Sequence, residues 1–502
     1  MSSQSRSDNL TSVAEPARKQ SMLPKATMKI HIDNHYRSKI YTTSSIISGH
    51  VEVNASHSTD FDAIEILLLG TSRTNNDAVN IPQSTCHTFL KLIMPIPESY
   101  YPVPRRFEAG CTYRIPFHFV VPQHLTLNAC SHCVPSDALK GHHLLLPPSV
   151  GNWEKDDCAP RMSRITYNVR ARALHEGVDG RLTRLMEASC DINVLPLVAE
   201  EPPLSIGKQD RIYAMSKSKT LRKSILSPKL GKVTVSANQP AFAVTSLDGR
   251  SISPTTAHID LKFEPTSSDS QPPKVAGVTS KVEVVTFYSS GSINQYPNLK
   301  DWARSFGAEG RGVYTSTVSL PSATTSSCIE DVYWRQHLAE QARRDSGYGS
   351  DAQSENSNAD NNARRSRRAG NNSNNKSAPY YYAAKLRVPI QLPAFKKMFL
   401  PTFHSCIASR VYVLWLTVSL SVAGGNTNFG LRVPLQVGVG DSGSDRIDAT
   451  GLPSFEAAME EVAAELEVDA FFHPRTISVP DVEFQSELPG YSERRNRTVQ
   501  RV

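Results

Sequence analysis

Val411-Tyr-Val-Leu-Trp-Leu-Thr-Val-Ser-Leu420 alternates between two faces. One face carries Tyr412, Leu414, Leu416, Val418 and Leu420; the other carries Val411, Val413, Trp415, Thr417 and Ser419. Successive side chains of a strand point to opposite sides of its sheet. The stretch therefore predicts a strand with one deeply buried face and one semi-exposed face. It lies in the longest apolar run, Val411 to Ala423, which Thr417, Ser419 and Ser421 interrupt. A membrane-spanning helix needs ~20 apolar residues, so the run is too short and too polar for one. Outward from it, strand-like runs recur at Lys232–Ala237, His258–Phe263, Lys281–Tyr288, Val313–Leu320, Ala384–Ile390, Phe403–Leu420 and Leu431–Val439. Together they predict a β-sandwich over residues 230–439.

The first part of the chain has the same texture. Met28-Lys-Ile-His-Ile-Asp33 alternates apolar and polar residues, as does Ile46–Val53, and Ile64–Leu69 is a short apolar run closed by Gly70. Thr88–Met94, Tyr113–Val121, Ile165–Ala173 and Cys190–Leu195 complete the set, and nothing before Pro202 has helical periodicity. The fold class is all-β, with a first sandwich over 28–199. Residues 1–27 form a Ser-rich tail and 200–229 a linker with Pro202-Pro203, a basic cluster and Ser227-Pro228. Gln341–Ser377 is rich in Arg, Asn, Ser and Asp and nearly free of apolar residues. It is expected to be a disordered insertion, because little burial offsets the entropy of ordering. Residues 440–502 read as a flexible tail, with one short helix over Ser454–Val468 capped by Ser454.

Composition bounds the function. The 502 residues carry a formal charge of +7, too mild at this length to suggest a nucleic-acid binder. Eight scattered cysteines do not make a disulfide framework. Met1–Leu10 has no apolar stretch, Ser2 stands where myristoylation needs glycine, and no prenylation cysteine precedes Val502. A soluble, cytoplasmic protein is expected.

Motifs with catalytic or cofactor chemistry are weak. Cys130-Ser-His-Cys133 is a CxxC with His124, His142 and His143 nearby. A structural zinc ion needs four converging ligands, and two adjacent histidines do not converge readily. The plain alternative is a loop between strands, and no metal or cofactor is assigned. Gly438-Val-Gly-Asp-Ser-Gly443 matches GxGxxG, yet no βαβ frame surrounds it. No HExxH or GxSxG occurs, so no catalytic residues are assigned and an enzyme is not expected.

Two features point to protein recognition. WW domains bind a polyproline-II turn, with a proline between aromatic rings and a tyrosine two residues later. Leu488-Pro489-Gly490-Tyr491 offers that geometry, with Leu488, Pro489 and Tyr491 as the binding residues; Leu488 stands where the usual motif has a first proline. Ser224, Ser227, Ser346, Ser350 and Ser366 are candidate phosphorylation sites beside basic residues, proline or the DSGxxS stretch Asp345–Ser350. Arg364–Arg368 has no interleaved aromatic residue for base stacking and reads as a solvated basic segment.

Taken together, these runs resemble the arrestin fold, specifically the fungal arrestin-like (α-arrestin) proteins. Tyr41-Thr-Thr-Ser-Ser-Ile-Ile-Ser-Gly-His-Val51 resembles the early family pattern of Tyr, a turn, then a strand reading small-Gly-x-Val. Leu67–Thr74 resembles the following strand, Arg106–Pro122 the Ala-Gly, Phe-x-Phe, Pro segment, and Ile165–Ala171 a late strand of the first domain. Pro401–Ile407 and the strand ending at Leu420 are similar to the arrestin C-domain. The resemblance implies two immunoglobulin-like sandwiches without a catalytic centre. It also implies an adaptor that joins a plasma-membrane transporter or receptor to a HECT-type ubiquitin ligase through the ligase's WW domains, for endocytosis and sorting. On that reading the chain is cytoplasmic and reaches the plasma membrane or endosomes through cargo only. The alternative is a trafficking or signalling scaffold that acts without the ligase; a third reading, a metal-binding or enzymatic β protein, rests on the CxxC and glycine matches. Two positions depart from the family pattern: Pro-Pro-x-Tyr is absent, and Ser44-Ser45 replaces the usual Pro-Gly turn.

Overall fold

The computed structural model describes residues 27–76, 83–177, 180–207, 210–222, 227–298, 302, 310–320, 332–338, 380–422 and 425–440. The expected tail before Thr27, the insertion 341–377, the helix over 454–468 and the Leu488–Tyr491 motif lie outside these residues, as do Ser224, Ser346, Ser350 and Ser366.

The described chain is all-β, built as two halves that each close sheets over an apolar core. In the first half, Thr27–Ile32, Ile46–Asn54 and Thr112–Val120 form a three-stranded antiparallel sheet. It faces a five-stranded sheet in the order Ile40–Tyr41, Leu182–Val194, Ser163–Glu176, Ala63–Asn76, Gln83–Ile93. Alternate residues of these strands, among them Val51, Ile66, Phe117, Ile165 and Val169, meet in one core. Within Ile64–Leu69, Ile64, Ile66 and Leu68 enter that core, while Leu67 and Leu69 are buried on the opposite face, which explains why the run is apolar at consecutive positions.

The second half repeats the plan. One sheet runs Ser216–Arg222, Lys229–Ala237, Thr255–Pro265, Tyr380–Ile390, Arg335–Leu338. The other runs Arg311–Ser319, Lys274–Ser289, Ala408–Val422, with Phe403–His404 and Gly425–Leu435 both on the far side of Ala408–Val422. The even-numbered face of Ala408–Val422 is buried as its alternation predicts: Tyr412, Leu414, Leu416, Val418 and Leu420 all enter the second core. The odd face is covered further than expected. Val411 and Val413 are buried against Ile212, Tyr213, Phe287 and Trp302, and only from Trp415 onward is that face half-open.

Two sequence expectations need correction. Asp137–His143 is a helix, started by Ser136, whose Oγ accepts from the Leu139 amide at 3.4 Å. Seven residues are too few to display helical periodicity. The expected linker 200–229 contains the strand Ser216–Arg222, which pairs along Lys229–Ala237. Its Lys-Ser-Lys pattern hid it, because an edge strand with one covered side tolerates charge on the other. Earlier in that linker, Glu201 and Gln436 exchange hydrogen bonds at 3.0–3.1 Å, holding the crossing against the second half. Among the described residues, no helix is long and apolar enough to cross a membrane.

Gly49 shows why a glycine sits in the strand Ile46–Asn54. A Cβ there would lie 2.0 Å from the His31 carbonyl oxygen of the paired strand. Gly277, also within a strand, would meet nothing within 4 Å. Gly49→Ala is therefore expected to cost about 1–3 kcal/mol through overpacking, whereas Gly277→Ala costs little. Urea unfolding of both variants checks this, and equal midpoints would show that the close approach at Gly49 carries no energetic weight.

Candidate functional site

The chemistry of this chain concentrates where the two halves meet. The loop Ser149–Ala159 leaves the first half and inserts into the second. Asp157 shapes it: its carboxylate accepts from the amides of Gly151 at 2.7 Å and Ala159 at 3.1 Å. Cys158, at φ 56°, is thereby turned into the second core. Around it, Lys155 Nζ donates to the carbonyls of Gly249 at 3.3 Å and Ala394 at 3.0 Å. Asp156 pairs with Lys397 at 2.6 Å, and its carbonyl accepts from the Met398 amide at 3.0 Å. The hydrogen-bonded Lys397 ammonium holds the Asp156 carboxyl below its ordinary value.

Arg410 is the buried counterpart of that loop. It is fully enclosed, and its guanidinium donates to the Asp157 carbonyl at 2.8 Å and to Thr286 Oγ1 at 3.2 Å. Its Nη2 has no hydrogen-bond partner. Removing a guanidinium from water costs several kcal/mol, and main-chain and hydroxyl oxygens offset that only in part. The residue shares the inward face of its strand with Tyr412 and Leu414. A lone charge at that parity was a signal available in the sequence.

A second cluster lies in the same region. Cys130 follows the turn Leu127–Ala129, His132 lies two residues on, His143 ends the helix Asp137–His143, and Cys406 sits between Phe403–His404 and Ala408–Val422. One ligand atom from each, the two sulfurs and one ring nitrogen of each histidine, falls within 4.8 Å of the others. Cys130 Sγ is 3.5 Å from His143 Nδ1 and 3.8 Å from His132 Nδ1. Burial, with repulsion from His132 and His142, brings the His143 imidazole down to about 4, and burial beside Cys130 pushes the Cys406 thiol up.

The structure thus uses half of the CxxC. Cys133 is exposed and outside the cluster. His142 turns the other way, 3.3 Å from Glu201 and against the rings of Tyr296 and His404. Adjacent histidines do not converge readily, and of this pair only His143 enters the cluster, where Cys406 arrives from the other half. No local spacing could announce that partner. Gly438, from the GxGxxG match, is in the strand Val437–Val439, where a Cβ would lie 2.4 Å from the Phe242 ring. Packing accounts for that glycine. Of the candidate phosphorylation sites, only Ser227 is described; it is half-buried just before Lys229–Ala237.

A cleft of about 400 Å³ opens beside the inserted loop, lined from both halves. It offers Lys155 and Arg250 alongside Glu154 and Asp248, so it favours neither sign of ligand charge. Comparison with protein-family models and with curated proteins found no match.

Arg410→Ala is expected to cost about 2–5 kcal/mol, combining lost packing with unpaired oxygens. Arg410→Met, which keeps volume and removes a buried charge, is expected to cost less. Peptide mapping after alkylation gives a local readout: Cys158 should label faster in Arg410→Ala. Unchanged protection of Cys158 would show that Arg410 does not hold the loop.

Proposed function

We propose that this chain is a non-catalytic adaptor that joins a plasma-membrane transporter or receptor to a WW-domain HECT ubiquitin ligase, directing that cargo to endocytosis and sorting. The observation that carries the reading is the pairing of two all-β halves through an inserted loop, followed in sequence by Leu488-Pro489-Gly490-Tyr491. Two sheet-built halves locked together supply broad surfaces for cargo. A short apolar-proline-tyrosine segment supplies the ligase handle. The arrestin-like patterns at Tyr41–Val51 and Arg106–Pro122 support the same reading. In this reading the protein works from the cytoplasm and meets plasma membrane or endosomes through its cargo.

Leu488 in place of the first proline weakens polyproline-II stiffness, so a single contact is loose. Several chains on one cargo raise the effective concentration to the order of millimolar, which makes a loose contact workable. Phosphorylation at Ser224, Ser227, Ser346, Ser350 or Ser366 would add charge that gates either engagement. The second reading, an arrestin-fold scaffold that never meets the ligase, draws on that same leucine.

Binding of the full chain to an array of WW domains tests the proposal. Wild type is expected to bind and Tyr491→Ala to lose at least about tenfold in affinity, about 1.4 kcal/mol. No binding by wild type would favour the scaffold. In cells, Tyr491→Ala is expected to slow cargo turnover, and unchanged turnover would remove the ligase from the reading. Alanine at Ser224, Ser227, Ser346 and Ser366 together is expected to change how turnover responds to nutrients; an unaltered response under every condition tested would reject phosphorylation as the gate.

A further inference from the structure

The Cys130, His132, His143 and Cys406 cluster has the composition and shape of a closed metal site. Two sulfurs and two imidazoles are the ligand set of a tetrahedral structural zinc ion. With zinc–sulfur bonds of about 2.3 Å and zinc–nitrogen bonds of about 2.0–2.1 Å, tetrahedral edges come to roughly 3.4–3.8 Å. Cys130 Sγ lies 3.5 Å from His143 Nδ1 and 3.8 Å from His132 Nδ1. Cys130, His143 and Cys406 are buried and His132 is half-buried, which leaves little access for a substrate.

The surroundings fit as well. His132 Nε2 donates to the Ile293 carbonyl at 3.3 Å, which leaves Nδ1 as the nitrogen with the lone pair; Cys130 Sγ is 3.8 Å from Nδ1 and 3.9 Å from Nε2. Such an outer contact fixes ring tautomer and orientation in metal-binding histidines. The same residue pins the fourth ligand, since the Ile293 amide donates to the Cys406 carbonyl at 2.7 Å. His143 is 1% exposed, and its Nε2 has no hydrogen-bond partner. Coordination through Nδ1, the nitrogen 3.5 Å from Cys130 Sγ, would put the ring's proton on that Nε2.

We propose that Cys130, His132, His143 and Cys406 bind one Zn²⁺ ion that staples the two halves of the protein together. Three ligands come from the first half and Cys406 from the second, so the set is complete only when the halves are docked. Both thiols give up their protons to solvent on binding, and two thiolates leave the site neutral around the divalent ion. With four protein ligands the ion has no open position, so its role is structural.

Metal analysis of the purified full chain, exchanged into metal-free buffer after zinc loading, tests the assignment. About one zinc per chain is expected in wild type and in Cys133→Ser, whose cysteine lies outside the set, with loss in Cys406→Ser. Because Cys406→Ser could disturb folding, a second measurement uses wild type loaded with Co²⁺. Thiolate-to-cobalt absorption and tetrahedral d–d bands are expected, and stoichiometric Zn²⁺ should abolish them. A chelator should also lower the thermal midpoint of wild type and leave that of Cys406→Ser unmoved. Folded wild type that retains no zinc, octahedral cobalt spectra, or a Cys130–Cys406 disulfide under reducing purification would each overturn the proposal.

Discussion

A buried guanidinium holds the two halves of this protein in register. Arg410 lies on the core side of the strand Ala408–Val422, yet its main acceptor, the Asp157 carbonyl, belongs to the other half. Without the loop Ser149–Ala159 in place, that charge would keep Thr286 Oγ1 as its one remaining hydrogen-bond acceptor and lose the Asp157 carbonyl. The loop is held in turn by its own chemistry, as Asp157 ties Gly151 to Ala159 and Cys158 is thrust into the second core. A charge that is costly to strand is therefore a device for specificity. It penalises every arrangement in which the halves are apart or misaligned.

Much of the fold was legible because alternation is a local property. Val411–Leu420, Ile46–Val53 and Lys232–Ala237 announce strands without reference to anything distant. What escaped was short or stabilised from outside. Asp137–His143 has a single capping residue and no repeat to display. Ser216–Arg222 carries strand geometry because its neighbour supplies the ladder and Leu221 the anchor. The Cys/His cluster escaped for a deeper reason: Cys406 is separated from Cys130 by most of the chain, and only the docking of the halves makes them neighbours. Sequence spacing reports metal sites built on one hairpin or loop, and this one is built across a joint.

The same joint bears on how such a protein could act. Inserted loop, buried arginine and thiol–imidazole cluster all draw on both halves, so a perturbation at one is felt by the others. An adaptor benefits from such stiffness, because a surface that holds its shape loses less entropy when it engages a partner.

The hairpin formed by Arg335–Leu338 and Tyr380–Ile390 has a practical corollary. Leu338 faces Tyr380 across the ladder, so residues 339–379 depart from and return to one spot on the sheet. Closing a longer segment between two fixed points costs little extra, about 0.6 kcal/mol per doubling of length. A change of length between these two fixed ends therefore carries little closure penalty of its own. For an experimenter this stretch is the natural place to splice in a fluorescent reporter.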